Sequence, residues 1–476
     1  MINDIFEQGR FKYFDDTSKS NLFYCNAINY FPWANFYEIA REFEYARYEF
    51  LKSVSNNKVA AQGKDNYSFT FDVDYDSGAT NNDKPKLLHC SSKAGRPPFP
   101  FWPAYRAFVL ARFMRVEDSV LDVYFLLKNN PTFAVACGFV QIPSYRSLAR
   151  FDQIMTDAGL WKKTRKLIVE LNLKEKVFSP EEKLVVDTTH VDAESVPVPK
   201  DSDKKPACDN VGVMRKSKTV THIAHKVSVI GFPGSDMPLM GTVHPGGMPD
   251  NLTLEPSLRQ FSEEYPSLAK DIDAVLADGI YQTADNHDVV EQVFGEGSRL
   301  VAPINPRGHK EKKLTDISGI IKIDKYGCPH CISGYKMILL SRDQKKEQYI
   351  WGCPVFHPTR QVEGLFCSEA NHAACCNLCN GGRVFRTERS DFPQINWDYP
   401  QHSIKFNIEY CQRSSAERIN SNLKEGYGFR RVHKRNKKNV EAHVDKCIAA
   451  VHLLAYMAHF LKKPDLMRSW SKMVAA

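Results

Sequence analysis

The sequence predicts an α/β fold in which a mixed β-sheet is flanked by helices. Short apolar runs rich in β-branched residues have the length and alternation of strands; they lie at 183–189, 219–230, 240–244, 272–278 and 300–304. The segments 250–268 and 285–294, which separate some of these runs, suit helices. Because strands followed by helices favour a sheet covered on both faces, we expect one mixed sheet between helical layers.

Length and composition are those of a soluble globular protein. The chain has 476 residues, of which 43% are hydrophobic and 25% charged, so it can form two or three domains with substantial cores. No apolar run reaches membrane-spanning length, and the N-terminus lacks the layout of a signal peptide, which predicts a cytoplasmic protein. A net charge of +8 is too mild to indicate a nucleic-acid partner by itself.

The first 180 residues divide into two regions. Region 1–94 contains a predicted helix at 34–53, followed by a polar segment at 54–93 that we expect to be a flexible linker. Region 95–180 contains short predicted helices at 105–113, 120–127 and 131–138, and Ser144 suits the start of another. Short helices with tight turns and several arginines are typical of a helix-turn-helix-like DNA-binding module. A structural helical bundle packed on the catalytic part is the alternative.

Two strand-like runs end in aspartate and supply the first two candidate catalytic acids. Asp187 ends the run Leu184-Val-Val-Asp187, and Asp278 ends the run at 272–278. Asp192 lies five positions after Asp187, so strand alternation places it on the opposite face.

The third candidate acid, Glu417, lies in a predicted helix at 410–424. Tyr410, Arg413, Glu417 and Lys424 are spaced by three, four and seven residues, which puts all four on one helical face. An adjacent stripe of Ala416, Ile419 and Leu423 can pack this helix against a sheet. The alternative is a solvent-exposed helix with an ordinary Arg–Glu pair.

The three acidic motifs together resemble the DDE transposases of bacterial insertion sequences. The chain matches in full the Tyr-x2-Arg-x3-Glu-x6-Lys (YREK) signature of one group, and Asp278-Gly-Ile-Tyr281 is close to that group's Asp-x-x-Tyr pattern. The resemblance covers roughly residues 95 to 450. It implies a ribonuclease-H-like core formed by 181–309 and 401–476, interrupted by an insertion at 310–400. It also implies cut-and-paste transposition, with terminal inverted repeats bound by the helical module and two ends paired in a homodimer.

The three acids suit metal-dependent phosphodiester chemistry. Two divalent ions can activate the attacking oxygen and neutralise the leaving oxygen, and Mg²⁺ (or Mn²⁺) accepts a few carboxylates. We expect Asp187 to bridge the ions, with Asp278 and Glu417 each favouring one. Arg413 and Lys424 would then bind DNA phosphates. Tyr410 would contact a phosphate or a base, or else anchor the helix as a half-buried side chain.

A basic run follows the signature segment. Residues 428–438 include six Lys or Arg side chains, among them the candidate phosphate ligands Arg430, Arg431, Lys434 and Arg435. A solvated loop without a ligand is the alternative.

Seven of the thirteen cysteines fall between 328 and 379, which indicates a zinc-ribbon-like subdomain in a cytoplasmic chain. Two C-x2-C pairs give the predicted structural zinc ligands Cys328, Cys331, Cys376 and Cys379, with Cys353 as the competing ligand. Free thiols are the alternative. Trp351 is the candidate exposed aromatic side chain for stacking on DNA.

Two other functional classes stay open from the sequence. One is a transposase-derived DNA-binding protein without catalysis, and the other is a zinc-ribbon scaffold for protein contacts. Both predict a chain that does not cleave DNA. The hypotheses in which the protein binds DNA predict that it associates with the bacterial nucleoid.

Overall fold

The computed structural model describes residues 32–62, 101–117, 119–195, 208, 210–215, 221–314, 319–357, 362–376 and 382–468.

An N-terminal helix is longer than the sequence predicts. A 3-10 turn (Trp33–Phe36) leads into helix α1 (Tyr37–Gln62), which continues past the predicted end at residue 53. The start of the predicted linker is therefore helical, and its last helical residues, Ala60 to Gln62, are strong helix formers. The rest of the linker lies outside the described residues.

The described part of the predicted helical region contains five helices. They are α2 (Phe101–Phe113), α3 (Val120–Asn129), α4 (Pro131–Cys137), α5 (Tyr145–Asp157) and α6 (Leu160–Lys174). Side chains cap three of them: Ser119 accepts from the Asp122 amide, Asn130 from that of Phe133, and Ser144 from that of Ser147. The predicted helices of this region and the predicted start at Ser144 are confirmed, and α6 is an addition.

Within the described residues the main sheet has seven strands. They are β1 (Lys183–Ala193), β2 (Val211–Arg215), β3 (Thr221–Phe232), β4 (Met237–His244), β5 (Ala274–Leu276), β6 (Arg299–Val301) and a late strand (Arg431–Val432). β3 pairs antiparallel with β1 on one edge and with β2 and β4 on the other. β5 runs parallel to β1 and β6 parallel to β5. The predicted mixed sheet is confirmed, and β2 is an additional strand, which pairs with the edge of β3 that β1 leaves open.

Helices cover both faces of this sheet. On one face lie α7 (Leu254–Glu264) and the short α8 (Pro266–Ala269), followed in the chain by α9 (Ala284–Phe294). Thr242 and His244 of β4 bond to Gln260 and Ser257 of α7. Two C-terminal helices pack on the opposite face: one spans Ser414–Gly426, and the other spans Lys437–Phe460. The α/β class with helices on both faces is therefore confirmed.

The helical region and the sheet share one continuous hydrophobic core. Its buried members include Phe108 and Trp161 of the helical region, Val186 and Ile230 of the sheet, and Leu454 of the last helix. This continuity agrees with the alternative of a bundle packed on the catalytic part. The DNA-binding role of the region stays a prediction.

The residues of the insertion that the structure describes form two small antiparallel sheets with a separate core. The first sheet contains β7 (Lys312–Lys313), β8 (Ile320–Ile323) and β9 (Pro329–Cys331); the second contains β10 (Ile338–Asp343), β11 (Gln348–Gly352) and β12 (Val384–Glu388). Helix α10 (Glu369–Cys376) lies between β11 and β12 in the chain. The core of the insertion extends from Ile304 to Ile395. No helix of the described residues is long and apolar enough to span a membrane.

Candidate active site

The register of two parallel strands brings the first two candidate acids together. In the β1–β5 pair, Val185 lies opposite Leu276. Asp187 and Asp278 each follow these partners by two residues, so both lie at the same edge of the sheet. Asp278 caps the 3-10 turn Gly279–Tyr281, and its Oδ1 accepts a hydrogen bond from the Gly279 amide at 2.6 Å.

The signature segment crosses this edge as two helices joined by a 3-10 turn. Helix α11 (Ile404–Tyr410) ends at the signature tyrosine, the turn covers Cys411–Arg413, and helix α12 (Ser414–Gly426) begins directly after the signature arginine. The prediction of one uninterrupted α-helix from 410 to 424 is therefore wrong in detail. The helical backbone nevertheless continues through the turn, because Tyr410, Arg413 and Ser414 all keep right-handed helical angles.

A close contact with the sheet fixes α12 over β3. The predicted stripe of Ala416, Ile419 and Leu423 is buried. A Cβ atom on Gly231 of β3 would lie 2.6 Å from Ile419 Cδ1 and 2.6 Å from the Met237 carbonyl oxygen. Only glycine therefore allows this approach of helix to strand.

Arg413 lies between two of the candidate acids. Its Nη2 donates to Asp187 Oδ1 at 3.2 Å, and its Nη1 donates to Glu417 Oε1 at 2.5 Å. Burial works to lower the pKa of Arg413, but Asp187 and Asp278 outweigh that effect and raise the pKa. The guanidinium thus neutralises part of the negative charge at the sheet edge.

Asp187 is the most buried of the three acids, with a side chain that is 20% exposed. Burial raises the pKa of Asp187, Arg413 and a hydrogen bond from Asn420 oppose the rise, and the charges of Asp278 and Glu417 add to it. The net direction is upward. The negative charges of Asp278 and Glu417 therefore both act on Asp187, although Glu417 itself is 68% exposed.

The donor set at this edge fits a hard divalent ion, because it consists of carboxylate oxygens only. Within the described residues, no three His, Cys, Asp or Glu side chains are close enough together to hold a metal ion. Arg413 accounts for part of this separation, since it occupies the space between Asp187 and Glu417. Asp192 pairs instead with His222 at 2.8 Å, which agrees with its predicted exclusion from the site.

Two residues that position the site are missing from the sequence prediction. Asn420 Nδ2 donates to Asp187 Oδ2 at 3.0 Å. Glu409 accepts from Arg299 Nη2 at 2.7 Å, from Lys183 Nζ at 3.0 Å and from the Tyr399 hydroxyl. Asn420 lies three residues after Glu417 on the same helical face, so helical spacing could have identified it. No sequence pattern points to Glu409.

The network around Glu409 anchors the start of the signature. Burial would raise the pKa of Glu409, but Arg299, Tyr399 and Lys183 outweigh it and lower the pKa to about 2. The following residue, Tyr410, is half-buried and stacks on Phe406 with ring centroids 5.6 Å apart. This placement agrees with the anchoring alternative for Tyr410, and contact with DNA stays a prediction.

Most of the predicted phosphate ligands in the basic run have partners within the protein. Arg430 pairs with Glu425, Arg431 with Glu194 at 2.9 Å, and Lys434 with the fully buried Asp152. Arg435 is exposed, and Lys424 is half-buried on α12. Their roles toward DNA stay predictions, although Lys434 also links this run to the helical region.

The cysteine cluster is partly described. Cys328 is buried in the core of the insertion, where its Sγ lies 3.4 Å from the Met337 carbonyl oxygen. Burial raises the pKa of the Cys331 thiol, and the nearby Cys353 and Cys367 add to that rise. Cys379 lies outside the described residues, as does the side chain of Cys376. The predicted zinc ligand set stays a prediction, and the neighbourhood of Cys331 keeps Cys353 as a competing ligand.

The prediction that Trp351 is an exposed aromatic side chain for stacking is wrong. It is fully buried in the insertion, where its Nε1 donates to Thr387 Oγ1 at 2.9 Å. Its position in the centre strand of a three-stranded sheet, between two partner strands, explains the burial. Trp397 is half-buried instead and lines a groove beside the insertion.

Fold and site together define a mixed α/β protein with three acids and an arginine gathered at one edge of its sheet. No protein-family model matches the chain, and no curated protein matches it. Among solved structures, the chain is similar to the piggyBac transposase in its synaptic complex with hairpin DNA, determined by cryo-electron microscopy. The identity is 10% and the TM-score 0.38, over 80% of this chain and 73% of that chain.

Proposed function

We propose that the chain is a DDE-type DNA transposase of the YREK signature group, encoded by a bacterial insertion sequence. The observation that carries the proposal is the position of Arg413, which donates to both Asp187 and Glu417, while the β1–β5 register places Asp278 beside Asp187. These side chains come from a strand, a strand end and a helix that are far apart in the sequence. A chance surface helix has no reason to place its arginine between its own glutamate and an aspartate of a central strand.

The strand order supports the ribonuclease-H-like part of the proposal. Three antiparallel strands, β1, β3 and β4, follow one another, and β5 and β6 then add parallel to β1 on its other side. The insertion separates this sheet from the helix that supplies Glu417. This is the arrangement that the sequence resemblance implies.

The proposed reaction has two steps at phosphorus. Water attacks the phosphodiester at the element's end, the P–O3′ bond breaks, and a 3′ hydroxyl and a 5′ phosphate result. The 3′ oxygen then attacks a target phosphodiester, forms a new P–O3′ bond and releases a target 3′ hydroxyl. Magnesium or manganese bound by Asp187, Asp278 and Glu417 supplies charge neutralisation for these steps.

The chain's own residues prepare the site for that chemistry. Asn420 holds one oxygen of Asp187, which keeps this half-buried carboxylate oriented. Arg413 neutralises Asp187 and Glu417 in the described state, and DNA phosphates are its proposed alternative partners. Lys424 and Tyr410 complete the proposed contacts to the terminal nucleotides.

The wider assignment follows the same proposal. Double-stranded DNA at the element's ends and at the target is the partner, and two copies of the chain pair the ends. A structural zinc ion held by Cys328, Cys331, Cys376 and Cys379 stabilises the insertion. Metal analysis of the purified protein, compared with a Cys331→Ser variant, tests the zinc; equal zinc content in both would exclude Cys331 as a ligand.

The test of the proposed function uses a supercoiled plasmid that carries the gene with its natural flanking DNA. The unmodified protein is expected to nick and linearise this plasmid at the flanks when Mg²⁺ is present. Asp187→Asn, Asp278→Asn and Glu417→Gln should each abolish cutting while DNA binding persists. Asp192→Asn is the matched control, because Asp192 lies on the same strand but outside the site, and it should cut normally. Cutting by Glu417→Gln at the unmodified rate would overturn the proposal.

A further inference from the structure

A strongly basic strip begins beside the second candidate acid and is distinct from the basic run at 428–438. Gly279, the residue after Asp278, packs against Pro303, with the Pro303 carbonyl oxygen 3.1 Å from where a Gly279 Cβ would lie. From Pro303 the chain leads into 307–313, in which all seven residues are exposed. We call this segment the linker strip; its cations are Arg307, Lys310, Lys312 and Lys313.

The cations of the linker strip differ from those of the basic run in their partners. In the basic run, Arg430, Arg431 and Lys434 pair with carboxylates of the protein. Among the described residues, none of the four strip cations forms an ion pair. The only acid of the strip, Glu311, is already neutralised by Lys322 at 2.9 Å. The strip therefore presents net positive charge that the fold does not compensate.

A groove of about 840 Å³ lies along the same linker. One wall is formed by Gln282 and Thr283, just after Asp278, and by Arg307. The opposite wall belongs to the insertion and includes Trp397, whose ring is flanked by Arg342 at 5.6 Å and Arg389 at 5.1 Å. The lining also includes Glu347 and Asp398, which pair with Arg389 at 2.8 Å and with Arg342 at 3.9 Å. The positive charge of the groove that no carboxylate compensates therefore comes from Arg307 of the linker strip.

We propose that the linker strip and this groove bind the DNA backbone on the Asp278 side of the cleavage site. Unpaired cations along an extended segment suit a row of phosphates, and binding releases the counterions of those phosphates. This inference rests on the proposed function, because it names where the same DNA substrate continues beyond the acids. It moves the main electrostatic contact from the basic run, whose charges are largely compensated, to the linker strip.

The test compares two double variants that remove the same charge. The first is Arg307→Gln with Lys310→Gln, and the control is Lys462→Gln with Lys463→Gln, two exposed cations after the last long helix. The probe is a fluorescein-labelled duplex carrying the gene's flanking DNA, titrated by anisotropy at several salt concentrations. Each phosphate contact contributes about 0.9 to the slope of log affinity against log salt, so the strip variant should lose about 2 from the slope.

The expected result separates the two variants clearly. When the salt concentration rises from about 50 to 200 mM, the affinity for DNA should fall roughly tenfold less in the strip variant than in the unmodified protein. In the control, the affinity should fall by the same factor as in the unmodified protein. Thermal unfolding should be unchanged in the strip variant, because its replaced side chains have no intramolecular ion pairs. An unchanged slope in the strip variant, or an equal reduction in the control, would overturn the inference. If Mg²⁺-dependent cutting persists in that case, the proposed function stands; absence of both DNA binding and cutting in the unmodified protein would remove both.

Discussion

Glu409 offers a quantitative test of how the signature segment is held in place. Its side chain is only 6% exposed and accepts from Arg299, Lys183 and Tyr399. The pKa falls from 4.5 to about 2, which corresponds to a stabilisation on the order of 3 kcal/mol when Glu409 is ionised. Glu409→Gln keeps the shape but removes the charge. It should therefore cost on the order of 3 kcal/mol at pH 7, since Lys183 loses its partner and Arg299 keeps only the more distant Asp273 at 3.4 Å.

The stabilisation by Glu409 should depend on pH in a defined direction. A lowered pKa in the folded state contributes stability that is present above the unfolded pKa of 4.5 and is lost as the pH falls toward 2. The difference in unfolding free energy between the unmodified protein and Glu409→Gln should thus be full at pH 7 and shrink steadily below pH 4.5. Urea unfolding followed by tryptophan fluorescence, with both proteins in the same buffers, measures this difference.

Glu425→Gln is the matched control for Glu409. Glu425 also pairs with an arginine, Arg430, but both side chains are more than half exposed. Such a surface pair contributes less than about 1 kcal/mol. If Glu409→Gln costs no more than Glu425→Gln at pH 7, or if its cost is the same at pH 3, the network does not stabilise the signature segment as described.

Three further substitutions test the packing and the site. Gly231→Ala should destabilise the protein by about 1–3 kcal/mol in urea unfolding, because the new methyl group meets the backbone. The control Gly247→Ala should be near neutral, since nothing lies within 4 Å of its new Cβ atom. Equal unfolding midpoints for the two variants would contradict the close contact at Gly231. Asn420→Leu removes a hydrogen bond to the charged Asp187, worth about 1.5–3 kcal/mol, so plasmid cutting should slow by about 10-fold or more with DNA affinity retained; an unchanged rate would refute the positioning role. Trp351→Ala should cost about 3–5 kcal/mol without weakening DNA binding, and loss of affinity in a fully folded variant would restore the stacking role.

The main elements of the fold could be read from the sequence because local patterns determine them. The alternation around Asp187 and the apolar stripe on α12 predict a strand and a packed helix without tertiary information. The strand β2 could not be read, because its five residues lie in a polar segment and pair only where β3 offers an open edge. Its existence is a tertiary effect that no short sequence window contains.

The same division holds for the candidate site. Spacing on one helical face identified Arg413 and Glu417, and in the structure Arg413 donates to both Glu417 and Asp187. Glu409 escaped prediction because its partners, Arg299 and Lys183, begin two different strands. Trp351 was misjudged because sequence shows an aromatic residue but not the strand on each side of it.

The last long helix has a consequence for the order in which the protein can be completed during synthesis. Lys446 and Asp445 of this helix neutralise the buried Asp152 and Arg165, which leave the ribosome almost 300 residues earlier. Asp152 also accepts from Trp161 and Lys434, and Arg165 also pairs with Glu264, so the last helix completes two buried networks whose other members are translated earlier. Burying these charges before their networks are complete is unfavourable. The contacts between the helical region and the last helix can therefore form only after Glu417 has been translated. Because these contacts join distant parts of the chain, they are slow to form.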